Sequence, residues 1–364
     1  MDSLRHDLHN HPGVSGDEHY AHDKVVSLLQ SLHPAVLHTH VGGYGVLAYF
    51  GSSPALPTVA LRADMDALPI GHRCGHDGHT AILMQVAEHF SRQPLADRGV
   101  LLIFQPEEET GLGAQKIIDS GLLSQFDIRV VLALHNIPGY PLNEVLLSDS
   151  TFAAASSGVV YHLQGRSTHA STPELGVNPG PAVADIIQQM QHFNTSASQH
   201  TNLSSFRQST LIAIRLGQRT FGTAAGDADL MFTLRAFTNN TMQRLLDEAH
   251  RTVADISARY GLAERHELVE PFRATENTPL VAAQLRHIAQ SMKRSVTMLP
   301  QPFRWSEDFS NYLAHYPGDL LGIGAGEQHL ELHHPDYDFP DAVIEPSAQL
   351  LCAFAQNLPL PIKQ

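Results

Sequence analysis

Cys74-Gly75-His76-Asp77-Gly78-His79 packs a thiol, two imidazoles and a carboxylate between glycines that let the backbone fold tightly around an ion. A metal-bound thiol is held as thiolate, which adds negative charge suited to one or two cations. The plainer alternative makes Cys74 a small buried hydrophobe and the histidines a cap on the following helix, and it leaves the density of donors unexplained. Glu107-Glu108-Glu109 follows an apolar strand through Pro106, which ends the strand where acids can turn into a crevice. Consecutive side chains point in different directions, so one acid can bind metal while its neighbour faces substrate. Asp64 and Asp66 close another apolar run, although an Asx-type turn would use aspartate at the same place. His135 ends a further strand, and His333 stands in Leu332-His333-His334-Pro335-Asp336-Tyr337-Asp338. A thiolate, imidazoles and carboxylates form a borderline-soft set that suits Zn²⁺ or Mn²⁺ better than Mg²⁺ or Ca²⁺. Gly111 and Gly113 do not make a dinucleotide loop, because Lys116 stands where the third glycine of G-x-G-x-x-G belongs.

These donors need elements that deliver them to one place. Ser15-Gly16-Asp17-Glu18 reads as a capping box, followed by Ala21, Val25, Leu28, Leu29 and Leu32 at helical spacing. Apolar runs at 44–50, 58–63, 99–105 and 129–135 read as strands, and 80–92 and 113–120 as helices, the second stopped by Gly121. Strands alternating with helices predict a largely parallel sheet covered on both faces, with ligands at its carboxyl edge. From about Ser156 the pattern becomes strand 159–164, helix 179–193, strands 210–216 and 229–237, helix 241–260 and strand 266–269. That is the β-α-β-β-α-β order of a ferredoxin-like unit, with the polar stretch 194–209 as an internal loop. After Pro271 the first pattern resumes, with helices at 279–293, 307–315 and 345–357 and a strand at 320–324. The expected fold is an α/β catalytic domain formed by 1–155 and 272–364, with a ferredoxin-like α+β domain inserted at 156–271.

Composition narrows the function. The chain has 364 residues, enough for two domains, with 43% hydrophobic and 16% charged residues. No apolar run approaches the roughly 18 residues needed to cross a bilayer. The polar start 1–12 lacks the apolar core of a secretory signal, so a cytoplasmic protein without membrane contact is expected. A net charge of −14 argues against nucleic acid as a partner. Two cysteines, Cys74 and Cys352, read as reduced thiols rather than a disulfide framework. Most of the 24 histidines belong to the surface or to packing, so weight falls only on those with metal-binding neighbours.

The motifs Leu8-His9-Asn10-His11-Pro12, Arg62-Ala63-Asp64-Met65-Asp66-Ala67-Leu68-Pro69, 74–80, 104–114, Leu134-His135-Asn136, 165–178 and 333–339 occur in an order that resembles the aminoacylase-like metallo-amidohydrolases. That family includes hippurate hydrolases, indole-acetyl-amino-acid hydrolases and N-acetyldiaminopimelate deacetylases. The resemblance covers essentially the whole chain. It implies a peptidase-like catalytic domain and a ferredoxin-like lid that usually mediates dimerisation. It also implies one or two divalent ions, Mn²⁺ or Zn²⁺, held by Cys74, His76, Glu109, His135 and His333, with Cys74 placed to bridge. Glu108 matches the family's general base, Asp66 the aspartate that supports a ligand or the base, and His169 a lid histidine that polarises the substrate carbonyl.

Two departures stand out. Only 70–73 lie between the Asp-Ala-Leu-Pro motif and Cys74, where the family carries a longer loop, and Thr110 and Leu112 interrupt the usual glycine tract. The reaction implied is hydrolysis of a small N-acyl amino acid to a carboxylic acid and a free amino acid. A dipeptidase or carboxypeptidase would use the same site, and a non-catalytic metal-binding relative would keep the ligands alone. Since the chain is acidic, an anionic substrate needs local positive charge, for which Arg166 and Arg235 are candidates.

Overall fold

The computed structural model describes residues 2–195, 203 and 205–360, and they divide into two compact units. Of the described residues, the first comprises 2–152, 275–299 and 307–360; the second comprises 153–195, 203, 205–274 and 300–306.

The first unit is built on an eight-stranded mixed sheet. Its order is Val36–Val41, Gly45–Phe50, Gly99–Gln105, Pro57–Asp64, Asp127–Pro138, Gly318–Gly326, Val145–Leu147 and Val296–Met298. The central strands Gly99–Gln105, Pro57–Asp64, Asp127–Pro138 and Gly318–Gly326 are mutually parallel. Apolar runs such as Gly99–Gln105, buried throughout, fit a sheet covered on both faces. Helix His76–Arg92 packs with Ile344–Asn357 and with Asp2–His9, and the hydrophobic core runs from Leu4 through Val59, Leu83 and Leu132 to Phe354. Because the four strands are parallel, their carboxyl ends open on one edge, where Asp64, Gln105 and His135 stand.

The second unit is a four-stranded antiparallel sheet in the order Arg207–Leu216, Asp227–Ala236, Ala155–Gln164 and Ala263–Phe272. Helices Gly180–Gln191 and Asn239–Arg259 bury Ile186, Leu245 and Val253 against Val159, Leu230 and Phe232. This is the ferredoxin-like arrangement. The edge strand Arg207–Leu216 leaves Leu211, Ile212, Ile214 and Leu216 exposed.

Several elements differ from the sequence reading. Helix His19–Leu32 forms, but not from a capping box: the Ser15 hydroxyl donates to Asp66, and the Glu18 carboxylate accepts from Gly16 N and from Glu107 N. Helix Asp2–His9 is absent from that reading because its core contact is only Leu4 and Leu8, too few to show a period. The strands Val145–Leu147 and Val296–Met298 are too short to alternate visibly. The helix expected at 307–315 shrinks to Ser310–Leu313, because Glu307 and Asp308 are drawn into a buried ion network. Of the loop expected at 194–209, residues 196–202 and 204 lie outside the described residues, and 207–209 belong to a strand.

Candidate metal centre

Chain turns at the carboxyl edge of the large sheet bring the candidate ligands together. After strand Pro57–Asp64 the chain passes Asp66, turns through Gly71 and reaches Cys74 and Gly75, from which helix His76–Arg92 starts. Gly75 is at φ +98°, and a Cβ there would meet Phe339 at 2.9 Å, so the turn admits no larger residue without movement. His76 Nδ1 lies 2.9 Å from the Asp66 carbonyl oxygen, which fixes the proton on Nδ1 and turns the Nε2 lone pair inward. His135 Nδ1 is bonded to the Asn136 carbonyl in the same way, leaving Nε2 3.7 Å from Cys74 Sγ.

Ligand atoms of Cys74, His76 and His135 lie within 4.8 Å of one another, and so do those of Cys74, Glu109 and His333. Cys74 belongs to both groups, the arrangement a bridging thiolate requires. Glu109 Oε1 is 3.9 Å from His76 Nε2 and 4.0 Å from His333 Nε2. Asp66 stands behind the cluster, its Oδ2 accepting from the Ser15 hydroxyl at 2.7 Å and from Glu109 N at 3.0 Å.

The three consecutive glutamates diverge. Glu107, at φ +54°, takes a bond from Lys116 Nζ at 2.6 Å and is turned away from the cluster. Glu108 is buried, with Oε2 4.0 Å from His76 Nε2 and Oε1 accepting from Asp308 N at 3.4 Å. Burial, with Glu307, Glu109 and Asp308 nearby, holds the Glu108 carboxyl well above the usual range. Burial also lifts Glu109, to about 7, against the pull of His76. The Cys74 thiol is pushed up by burial and by Glu109.

The donors fit a cation. Among the described residues His76 Nε2 and Glu109 Oε1 are buried without hydrogen-bond partners, an arrangement that is costly unless something binds there. A divalent ion would favour the deprotonated thiol and carboxylates that burial disfavours.

Sequence reasoning gives no role to the polar shell that holds this site. Arg62 is buried and donates to Gln105 Oε1 at 2.9 Å, Asp64 Oδ2 at 2.6 Å, Glu307 Oε1 at 2.9 Å and Asp308 Oδ1 at 2.8 Å. Asp64 also meets His79 Nδ1 at 2.6 Å; His79 reaches Asn136 through Nε2, and the Asn136 amide donates to the Tyr337 hydroxyl. An arginine within an otherwise apolar strand is the available signal, since a buried guanidinium must find acids.

His169 belongs to the second unit, in a short ribbon where it pairs with Thr223. It is exposed, and Ser171 N donates to its Nδ1 at 3.1 Å, which leaves the neutral ring's proton on Nε2. Arg166 is exposed, with Nε bonded to the Leu175 carbonyl. Arg235 spends Nη1 on the Arg304 carbonyl at 2.6 Å and the Ser306 hydroxyl at 3.2 Å.

A parallel sheet edge carrying this donor set and paired glutamates defines a metal-dependent hydrolase acting on amide bonds. The chain belongs to Peptidase family M20/M25/M40, whose model matches residues 60–357. Among curated proteins it is 28% identical to an N-acetyl-L-cysteine deacetylase of Bacillus subtilis, over 98% of this chain and 87% of the relative. It is 25% identical to an N-acetyldiaminopimelate deacetylase of Geobacillus thermodenitrificans, over 97% of this chain and 96% of the relative. A dinuclear metal-binding M20 peptidase of Bacillus subtilis shares the fold with a TM-score of 0.82 at 22% identity, covering 97% of this chain and 96% of that one. The aminobenzoyl-glutamate utilization protein of Klebsiella pneumoniae shares it with a TM-score of 0.75 at 21% identity, covering 99% and 95%. Among the described residues no helix is long and apolar enough to cross a membrane.

Proposed function

We propose that the chain cleaves the amide bond of small N-acyl amino acids, releasing a carboxylic acid and a free amino acid, with Glu108 as general base. The observation that carries this reading is the buried Glu108 carboxyl, 4.0 Å from His76 Nε2 and beside a donor cluster with two orphaned ligand atoms. The two deacetylase relatives, named for N-acetyl amino acids, support the substrate class.

Cys74, His76, Glu109, His135 and His333 would hold one or two divalent ions, Mn²⁺ or Zn²⁺. Such an ion, when bound, acts as a Lewis acid and lowers the pKa of water toward about 7. Glu108 takes a proton from the attacking water and later delivers it to the leaving nitrogen. Burial and the neighbouring carboxylates raise its proton affinity, which favours holding the proton between the two steps. Asp66 fixes the His76 ring through its carbonyl and the Glu109 backbone through its carboxylate, so it positions two ligands without touching substrate. His169 donates from Nε2 to the acyl oxygen as charge develops there.

The native assembly in this reading is a homodimer formed through the second unit. The exposed apolar side chains of Leu211, Ile212, Ile214 and Leu216 support it, because among the described residues no strand lies beyond them and an apolar edge invites a partner strand. The protein acts in the cytoplasm, a location supported by the free cysteines Cys74 and Cys352.

The test is release of amino acid from a panel of N-acetyl, N-benzoyl and indole-acetyl amino acids by metal-stripped protein resupplied with Mn²⁺ or Zn²⁺. Metal-dependent release from any member is the expected result. Activity on dipeptides alone would favour the second reading, a dipeptidase or carboxypeptidase, which membership of a peptidase family keeps in view.

A further inference from the structure

The short segment between Pro69 and Cys74 turns back on itself twice. Gly71 N donates to Leu68 O at 2.8 Å with Gly71 at φ +95°, and Arg73 N donates to Gly71 O at 2.7 Å. Both bonds are local, and they bring residue 73 to the turn that carries His333. From there Arg73 grips both ends of the turn that carries His333. Its carbonyl accepts from His333 N at 2.8 Å, and its Nη1 donates to Tyr337 O at 2.5 Å.

The far end of that turn has anchors of its own. Tyr337 is buried with its hydroxyl on Asn136, and the Phe339 ring lies so close to Gly78 that a Cβ there would meet it at 2.5 Å. The near end is held by Leu332 against the core, by His334 N on Glu331 O and by the Arg73 carbonyl, and the guanidinium on Tyr337 O ties residue 73, and with it that carbonyl, to the anchored far end. His333 sits at φ +66°, with an exposed side chain, in a loop rather than a helix or strand. A non-glycine residue in that conformation is strained and persists only where its surroundings impose it. His76 and His135 are oriented by the carbonyls of Asp66 and Asn136, neither of which involves Arg73.

We propose that Arg73 is a positioning residue that presents His333 to Cys74 and Glu109, and so governs ion occupancy at the Cys74–Glu109–His333 position without governing the Cys74–His76–His135 position. The inference rests on the ligand assignment made above. It gives a purpose to the shortened segment: a longer, slacker loop would let the guanidinium drift off Tyr337, whereas a tight double turn delivers it there.

The experiment is equilibrium dialysis of the metal-stripped full chain against Co²⁺ alone, with the thiolate charge-transfer and ligand-field bands recorded at each loading. Wild-type protein should take up two ions. R73M, which keeps the carbonyl bond and loses the side-chain bond, should bind one ion as wild type does and the other more weakly by about 10- to 100-fold, as when an outer partner of a ligand is removed. R73K, which retains a donor, should recover part of that loss. H333A marks which band belongs to the affected position, and the unfolding midpoint of each metal-free variant reports on folding separately. An R73M protein that matches wild type at both ions overturns the proposal, as does a wild type that binds only one. Loss of both ions with a lowered metal-free midpoint also overturns it, since that marks a general structural role. If wild type binds no ion, the ligand assignment itself fails, whatever R73M does.

Discussion

His76 Nε2 and Glu109 Oε1 lie 3.9 Å apart, both buried and neither with a hydrogen-bond partner. Two polar atoms stripped of water at that spacing each carry a desolvation cost of about 1–3 kcal/mol, and a shared cation would remove both. Metal should therefore stabilise the fold as well as enable turnover. Chelation should lower the thermal midpoint, and Mn²⁺ or Zn²⁺ at about 100 times its dissociation constant should restore about 2.7 kcal/mol. H76A should reduce this metal-dependent shift. A midpoint indifferent to chelator in the wild type would rule out a structural ion between these atoms.

In the proposed reading Glu108 moves protons, with its Oε1 accepting from Asp308 N while Oε2 faces His76 Nε2. E108Q keeps the shape and one acceptor but cannot take a proton. Turnover should fall by about 10²- to 10⁴-fold, the usual contribution of a general base. Metal stoichiometry by dialysis should stay at the wild-type value. Retention of near-normal turnover in E108Q would remove Glu108 from the mechanism.

What could be read from sequence follows the range of the interactions. The Cys74 to His79 cluster is visible because its donors are adjacent in the chain, and Glu108 and Glu109 because an apolar strand ends just before them. The ferredoxin-like order is visible because each of its elements spans ten residues or more, though only 266–269 of the last strand, whose residues are mostly exposed, stands out in sequence. The shell around the site is not. Arg62 and Glu307 stand 245 positions apart, and no local pattern announces their contact. The Ser15 to Glu18 pattern misleads for the same reason: both side chains find partners far away, in Asp66 and Glu107, that outcompete a local cap.

Arg62 offers a direct measure of that shell. Its single positive charge is shared among Asp64, Glu307 and Asp308, all buried, and Gln105 completes the bonding. R62M would preserve the volume and leave three carboxylates without their cation. Removing one partner of a buried ion pair costs about 3–5 kcal/mol. Denaturant unfolding of R62M should show a loss at least that large. R62M combined with D64N, E307Q and D308N should recover much of it, because neutral side chains no longer need the charge. Equal stability of R62M and wild type would mean the network is held by something other than Arg62.

Asp319 provides a pH test away from the site. It is buried in strand Gly318–Gly326, with both carboxylate oxygens lacking hydrogen-bond partners, and burial holds its pKa well above the usual carboxylate range. A carboxyl with a higher pKa in the folded protein than in the unfolded chain binds its proton more tightly when folded. The stability it supplies is complete below the unfolded-state value of about 3.9 and is lost as pH rises through the folded value. Asparagine cannot ionise, so D319N should escape this loss. Its denaturant midpoint should stay near that of wild type at pH 4 and pull ahead progressively toward pH 8. The metal must be removed from both proteins, so that ligand titration does not add its own pH dependence. A difference between D319N and wild type that is the same at every pH would show that Asp319 titrates alike in the folded and unfolded chain.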